Sequence, residues 1–400
     1  MHSLLRALLA GPIASSLFLS FAAEAKDQPT TVVIRNVTVI DMKADQPQPG
    51  LTVVTRGNRI ATIGRDAKTP EHAQVIDGTG KFLIPGLWDN YTFTLEAHKN
   101  QLPYFDLLVA HGVTGVRDAG TSLGLPAAAR LRADIEAGRT LGPRLFFAGP
   151  VLLTDLPPRP SNRWTGISTV VTSAEEARKA VATLASAGVN HIKTEKRTPP
   201  DILKQIISEA HKHKLPVVGV PPAYIADVSN DDLDCIEHFV EIHRATSNKR
   251  DEYYALYRDR TIDNMSMDQN YAFFDTMETD QPYYEEALRT LARNKTFVCT
   301  NAALLATFIG DYELADVTRR RFKTKAEIAA LEKAIGERDR QKRNADYRGS
   351  AKSREKTFRN IADLQKAGVP LLTGTQLSQQ SVGTPGAVLH DELQIFVAAG

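Results

Sequence analysis

The order of apolar and polar positions changes character along this chain. Near its start, Thr31–Ile40 is crowded with β-branched residues and reads as a strand. Leu51–Thr55 and Arg59–Ile63 continue that pattern, with Gly57-Asn58 as the turn between them. These stretches predict a small β unit over residues 30–80. From residue 81 onward, short apolar runs take over: Gly115-Val116, Arg144–Phe147, His191–Lys193, Pro216–Val218, Cys235-Ile236 and Pro370–Thr373. Segments of helical periodicity separate them, clearest at Ser173–Ala187, Pro200–His213 and Ser353–Ala367.

A strand, helix, strand order at this spacing predicts a parallel sheet with crossover helices, and about eight such units close into a barrel. The expected class is therefore α/β: a (β/α)8 TIM barrel over residues 81–400, with a small β-sandwich-like N-terminal unit. Ser173 and Glu176 have the spacing of a helix capping box, and Gly188 and Gly368 stand where helix C-caps are expected. Residues 244–285, rich in Tyr, Asp and Arg, and residues 313–355, dense in mixed charge, read as solvated helical excursions over the barrel.

Composition narrows the class of partner. The 400 residues carry 49 basic and 47 acidic side chains, a net charge of +2, so no basic excess marks a nucleic-acid partner. The first 25 residues read as an export signal: Arg6, an apolar run from Ala7 to Phe21, and small residues at Ala23 and Ala25. That run carries Gly11 and Pro12 and is shorter than the roughly 20 apolar residues of a spanning helix. The expected mature protein is soluble, periplasmic or secreted, with no membrane span after signal removal. Cys235 and Cys299 have no CxxC spacing and read as unpaired core cysteines, although one disulfide would suit an oxidising compartment.

Several stretches carry a family resemblance in an ordered series. They are Ile84–Asp89 (IPGLWD), Gly112–Asp118 (GVTGVRD), Gly142–Leu145 (GPRL), Ile192-Lys193, Leu215–Gly219 (LPVVG), Ile236–His238 (IEH), Ala367–Thr375 (AGVPLLTGT) and His390–Leu393 (HDEL). Over residues 30–400 the chain resembles the amidohydrolase superfamily, in its imidazolonepropionase-like branch. The resemblance implies a barrel that holds one or two divalent cations at the carboxyl ends of its strands. It implies an HxH pair on the first strand, often a carboxylated lysine on the fourth, histidines on the fifth and sixth, and an aspartate on the eighth. The chemistry so implied is hydrolysis of an amide, cyclic amide or related bond by a metal-activated water.

The chain departs from that pattern at its centre. Tyr91 and Phe93 stand where the resemblance implies the two histidines of the first strand, Val220 replaces the histidine of the fifth, and Gln376 replaces the aspartate of the eighth. Lys193 and His238 remain as ligand positions. Phe93 and Val220 offer no lone pair, Tyr91 keeps its proton near neutral pH, and Gln376 is neither an anion nor a base. A hydrolytic zinc usually has three protein ligands plus water, and His238 is the one unmodified ligand left. His191, Lys193 and Glu195 share one side of a strand, and Glu237 adjoins His238, so a rebuilt metal site is weighed and set below the simpler loss. His98, His111, His211, His213, His243 and His390 read as surface or helix-end histidines.

Two functional expectations stand side by side. In the first, the chain is a non-catalytic member, a pseudoenzyme that needs no cofactor and accepts at most a small-molecule or peptide-like ligand. In the second, it is a working hydrolase of C–N bonds, with a non-peptide or dipeptide-like amide as substrate, that uses zinc or another divalent metal in an altered or single-metal site. The chain stops at Gly400 on the end of a helix, where the resemblance implies segments that return to the β unit. A half-built sandwich and a fragment both fit that ending. The sequence does not specify oligomeric state.

Overall fold

The structure is a computed structural model that describes residues 30–95, 104–156, 166–196, 198–221, 224–265, 269, 272–274, 276–303, 349–378 and 384–400. The expected signal segment, His98 and residues 313–348 of the charged excursion lie outside the described residues. The chain divides into two compact units, one ending at Pro85 and the other beginning at Gly86.

The first unit is a sheet. Strands β1 (Thr31–Val39), β2 (Gln48–Arg56), β3 (Arg59–Gly64) and β4 (Gln74–Asp77) lie in the order β3-β2-β1-β4, and the short β5 (Phe82–Leu83) also pairs with β1. Gly57 and Asn58 make the turn between β2 and β3, which run antiparallel from Arg56 opposite Arg59. Alternation along β1 and β2 puts Val37, Val39 and Val53 on one face, where Ile34, Leu51 and Leu83 pack against them.

The second unit alternates parallel strands with helices. Its strands are β6 (Leu87–Phe93), β7 (Val113–Asp118), β8 (Arg144–Phe147), β9 (Val151–Leu153), β10 (Ser168–Val170), β11 (Ile192–Thr194), β12 (Val217–Gly219), β13 (Cys235–Glu237), β14 (Phe297–Cys299), β15 (Leu371–Leu372) and β16 (Leu377–Ser378). Its helices are α1 (Phe105–Ala110), α2 (Leu125–Glu136), α3 (Ala174–Ser186), α4 (Pro200–Lys212), α5 (Ile225–Asn230), α6 (Phe239–Ala245), α7 (Arg250–Arg258), α8 (Gln281–Asn294), α9 (Gly349–Lys366) and α10 (Ala387–Ala399). One sheet has the order β10-β9-β11-β12-β13-β14-β15 and the other β16-β6-β7-β8, with every pairing parallel.

Hydrogen bonds join the two sheets in two places. Asn190 N–H donates to Phe147 O at 2.9 Å beside β8 and β11, and Asn90 N–H donates to Thr373 O at 2.9 Å beside β6 and β15. Thr373 Oγ1 also donates to Trp88 O at 2.9 Å.

Strand alternation sorts the core into two layers. Ile192, Val217, Ile236 and Val298 face helix residues such as Val181, Leu184, Ile206, Leu291 and Leu364. Their neighbours one residue away face inward, where Tyr91, Phe93, Val218, Cys235 and Cys299 form a separate cluster. Cys235 and Cys299 are both buried and free.

The capping box forms. Ser173 Oγ accepts from Glu176 N–H at 3.2 Å, and the Glu176 carboxylate reaches back to the Ser173 N–H while accepting more strongly from Thr172 N–H at 2.7 Å. The Thr172 hydroxyl adds a further donor to that carboxylate at 2.8 Å. Gly188 and Gly368 both follow their helices with positive φ, 76° and 78°. Residues 244–285 are more than a solvated excursion, because Tyr253, Phe274 and Met277 form a buried cluster of their own.

Candidate functional site

The carboxyl ends of the parallel strands bring most of the singled-out residues into contact around Tyr91. Tyr91 and Phe93 are two apart on β6, so both face inward, and their rings lie 5.5 Å apart. The Tyr91 hydroxyl is 3.4 Å from His238 Nε2, and the Lys193 ammonium lies 5.5 Å from the centre of the Tyr91 ring. Gln376 N–H donates to Tyr91 O at 2.6 Å. Val220 is buried immediately past β12 and, two residues beyond Val218, falls on the same inward side.

Local backbone geometry sets two of these positions. His238 and Gln376 follow β13 and β15 with φ of 67° and 52°, the left-handed region that side-chain-bearing residues seldom adopt. Fixed hydrogen bonds hold the His238 turn, whose N–H donates to Cys299 O at 3.0 Å and to Asn301 Oδ1 at 3.3 Å. Gly374 lies where β15 passes β6: a Cβ there would meet Cys299 Sγ at 2.4 Å and Tyr91 Cβ at 2.8 Å. Only glycine allows so close an approach without displacement of a neighbour.

Lys193 is the electrostatic centre. Its Nζ lies 2.8 Å from Glu237 Oε2 and 2.9 Å from Glu195 Oε1, and it also donates to Thr194 O at 2.8 Å. Lys193 pairs with two carboxylates, and Arg117 Nη2 reaches Glu237 Oε1 from the other side at 3.1 Å. The reason is again alternation, since Glu237 shares the inward face of β13 with Cys235. The row Arg117, Glu237, Lys193, Glu195 therefore holds two cations and two anions, with Lys193 and Glu237 wholly out of solvent.

Burial and charge act against each other here. Burial alone would lower the Lys193 ammonium, but Glu195 and Glu237 outweigh it and hold its pKa above the usual lysine value. Burial would raise Glu195, and Lys193 reverses that and holds it low. His238 is pushed down to about 4 by burial, against the pull of Glu195, Glu237 and Glu241, so its ring is neutral at pH 7. Asp89, behind Tyr91, rises to about 6 through burial, although the Thr375 hydroxyl and Thr375 N–H both donate to it.

A second ionic group lies past β11 and β13. Lys196 Nζ is 2.7 Å from Glu241 Oε1, Arg244 Nη1 is 2.9 Å from the same oxygen, and the Tyr253 hydroxyl donates to Glu241 Oε2 at 2.8 Å. Burial would raise Glu241, but Lys196 and Arg244 bring it down to about 2.

The residues present do not fit the divalent cation that the resemblance implies. The position of the bridging lysine carries an ammonium already engaged by two carboxylates, and a cation placed beside it would meet like charge. Tyr91 and Phe93 are at most 2% exposed and packed into the apolar cluster, so neither yields a ligand position without repacking. Among the described residues, no three His, Cys, Asp or Glu side chains assemble as a metal-holding group. His191, weighed as part of a rebuilt site, instead lines a cavity at the amino ends of the strands.

Sequence reasoning placed Lys193 and Glu195 on one side of β11 but missed Arg117 and the inward aim of Glu237. The usable signal was the period of two: Cys235 and Glu237 alternate with the outward Ile236, as Arg117 does with Val116.

No protein-family model matches this chain. An adenine deaminase of Rubrobacter xylanophilus is 33% identical over 97 residues, 24% of this chain and 16% of that protein. The chain thus spans about a sixth of the length of the curated relatives it matches. Among solved structures, bottromycin amidohydrolase shares 20% identity at a TM-score of 0.66, over 94% of this chain and 75% of that one. A Xaa-Pro dipeptidase with bound methionine in the active site shares 19% at a TM-score of 0.60, over 93% and 84%. The relatives in sequence and the shared parallel α/β fold agree with the ordered motifs and support a place for this chain in the amidohydrolase superfamily.

Proposed function

We propose that this chain is a non-catalytic member of its superfamily, in which an internal lysine takes the electrostatic place of the metal. The observation that carries the reading is the Lys193 ammonium held at 2.8 and 2.9 Å by Glu237 and Glu195. Tyr91, Phe93 and Val220 fill the space of three ligands, His238 remains as a neutral imidazole without metal-binding company, and Gln376 supplies no base.

The two sheets, joined by hydrogen bonds at Asn190 and Asn90, support one closed (β/α)8 barrel, with residues 30–80 as a separate β domain. The leader-like residues 1–25 support export to the periplasm or outside the cell. No helix among the described residues is long and apolar enough to cross a membrane. A small-molecule or peptide-like ligand suits the mouth of such a barrel, whereas the even charge balance speaks against nucleic acid.

The test is elemental analysis of protein purified without chelator, joined to hydrolysis assays on amides and dipeptides. The expected result is well under one equivalent of zinc, manganese, iron or cobalt, and no hydrolysis stimulated by added metal. One or two equivalents, with hydrolysis that a chelator removes, would instead establish a working hydrolase with an altered metal site.

A further inference from the structure

A cavity of about 500 Å³ opens at the amino ends of β11 to β14, opposite the end that carries Val220 and His238. Its position follows from the strand starts, because His191, Pro216 and Thr296 each precede a strand and all line it. Phe146, Val218, Phe297 and Leu372 give it an apolar wall, and His191 and Arg117 are polar groups in that wall. Phe146 and Phe297 are 39% and 41% exposed, so apolar surface reaches the opening.

His191 is the anomaly. The residue is 2% exposed, and neither Nδ1 nor Nε2 has a hydrogen-bond partner among the described residues. Buried polar atoms are nearly always paired, because an unpaired one forfeits the hydrogen bond it would make with water. A neutral imidazole presents one N–H and one lone pair. A hydroxyl suits whichever of the two atoms faces the cavity, because it can donate to the lone pair or accept from the N–H.

Charge narrows the ligand further. The Arg117 guanidinium is paired with Glu237, and Lys295, the lysine of the lining, is exposed to solvent, so a bound anion would find no buried cation in need of a partner. A bound cation would face Arg117 and, two residues along β11 from His191, Lys193. Near the opening, His211 and Asp234 pair with each other at 2.8 Å. An uncharged body with a single hydroxyl meets every one of these conditions, and the volume lies within the usual range for small-molecule sites.

We propose that this amino-end cavity binds a small uncharged aromatic alcohol of the phenol class, whose hydroxyl bonds the His191 ring while its ring packs on Val218 and Leu372. The site is separate from the carboxyl-end residues and does not depend on whether the chain hydrolyses anything.

The test uses the full chain, labelled with ¹⁵N at histidine, titrated with phenol and followed by NMR. Phenol is expected to shift the His191 ring signals saturably, while benzoate and benzylamine bind at least about ten-fold more weakly. His191→Gln is expected to weaken phenol about ten-fold, the weight of one neutral hydrogen bond. Val218→Phe, which fills the cavity, is expected to abolish binding and leave the His191 signal in place. Where His191→Gln fails to fold, Val218→Phe and a crystal soaked in phenol decide the matter. Phenol within hydrogen-bond distance of His191 supports the proposal. A lone water on His191, absence of a saturable shift, or undiminished binding by Val218→Phe overturns it.

Discussion

Lys193 Nζ lies 2.8 Å from Glu237 Oε2, and neither side chain touches solvent. A pair so placed gains little over a well-packed apolar pair, because both ions lost their hydration. Removal of one partner is another matter, since the other is left buried and uncompensated. The row has two cations and two anions, so each residue in it is held by the balance of the whole.

Lys193→Met is therefore expected to destabilise the fold by about 3–5 kcal/mol, since Glu237 then keeps Arg117 while Glu195 loses its paired cation and keeps only the weaker pull of Lys196. Adding Glu195→Gln removes the surplus anion and should restore about half of the loss, leaving the Arg117–Glu237 pair in balance. Urea unfolding of the two single variants and the double variant yields the coupling energy. A double variant whose loss equals the sum of the singles would show that the four groups do not act as one row.

A second prediction concerns pH. Glu392 is fully buried, and burial raises its pKa to about 7 even though the Thr300 hydroxyl and the N–H groups of Ala303 and Ala302 donate to it. A carboxyl with a raised folded-state pKa binds its proton more tightly when folded. Its contribution is thus fully present below the unfolded value near 4.5 and is lost as pH rises through about 7. Glu392→Gln, which mimics the protonated form, should flatten the stability profile between these two values. The measurement is the urea midpoint of parent and variant across that range, and parallel profiles would sink the assignment.

Much of this architecture was legible because its signals are local. The β-branched run at Thr31, the turn at Gly57-Asn58 and the apolar stripe of Ala174–Ser186 are each set within a few residues of chain. Lys193 and Glu195 could be placed on one side of a strand for the same reason. The partners were harder to see. Arg117 and Glu237 are 120 residues apart, and their pairing depends on strand order and register, which no local pattern encodes. Local pattern thus reaches Lys193 and Glu195 but not Glu237 and Arg117. His191 was visible as an inward residue, but its lack of a hydrogen-bond partner is a property of the assembled interior.

Gly374 supplies a third prediction. An added methyl would stand 2.4 Å from Cys299 Sγ and 2.8 Å from Tyr91 Cβ, and both of those residues are buried. Gly374→Ala should therefore push β15 away from β6 at a cost of about 1–3 kcal/mol, the usual range for overpacking. Because Gln376 N–H bonds Tyr91 O, the same shift should speed hydrogen exchange at the Gln376 amide. Unchanged exchange there, with stability intact, would show that the two strands have slack.

The last prediction follows the fate of Lys193 when ligands are restored. As a carbamate, this side chain would put a third anion beside Glu195 and Glu237, with Arg117 as the one cation in the row. Such a buried surplus of negative charge is costly, so the parent protein should carry unmodified Lys193. Tyr91→His, Phe93→His, Val220→His and Gln376→Asp together would add three imidazoles and a carboxylate near His238. A divalent cation on those groups would offset the carbamate and displace the ammonium from its role as counter-charge. The quadruple variant is therefore expected to bind metal and to show Lys193 heavier by one carbon dioxide. Each single reversion should change neither metal content nor mass, because one added ligand leaves the set incomplete. The measurements are elemental analysis and the mass of the peptide that contains Lys193, in parent and variants alike. Carbamylated Lys193 in the metal-free parent would mean that Glu195 and Glu237 do not set the charge of this site. A folded quadruple variant without metal would mean that the ammonium, held by two carboxylates, outcompetes the restored ligands.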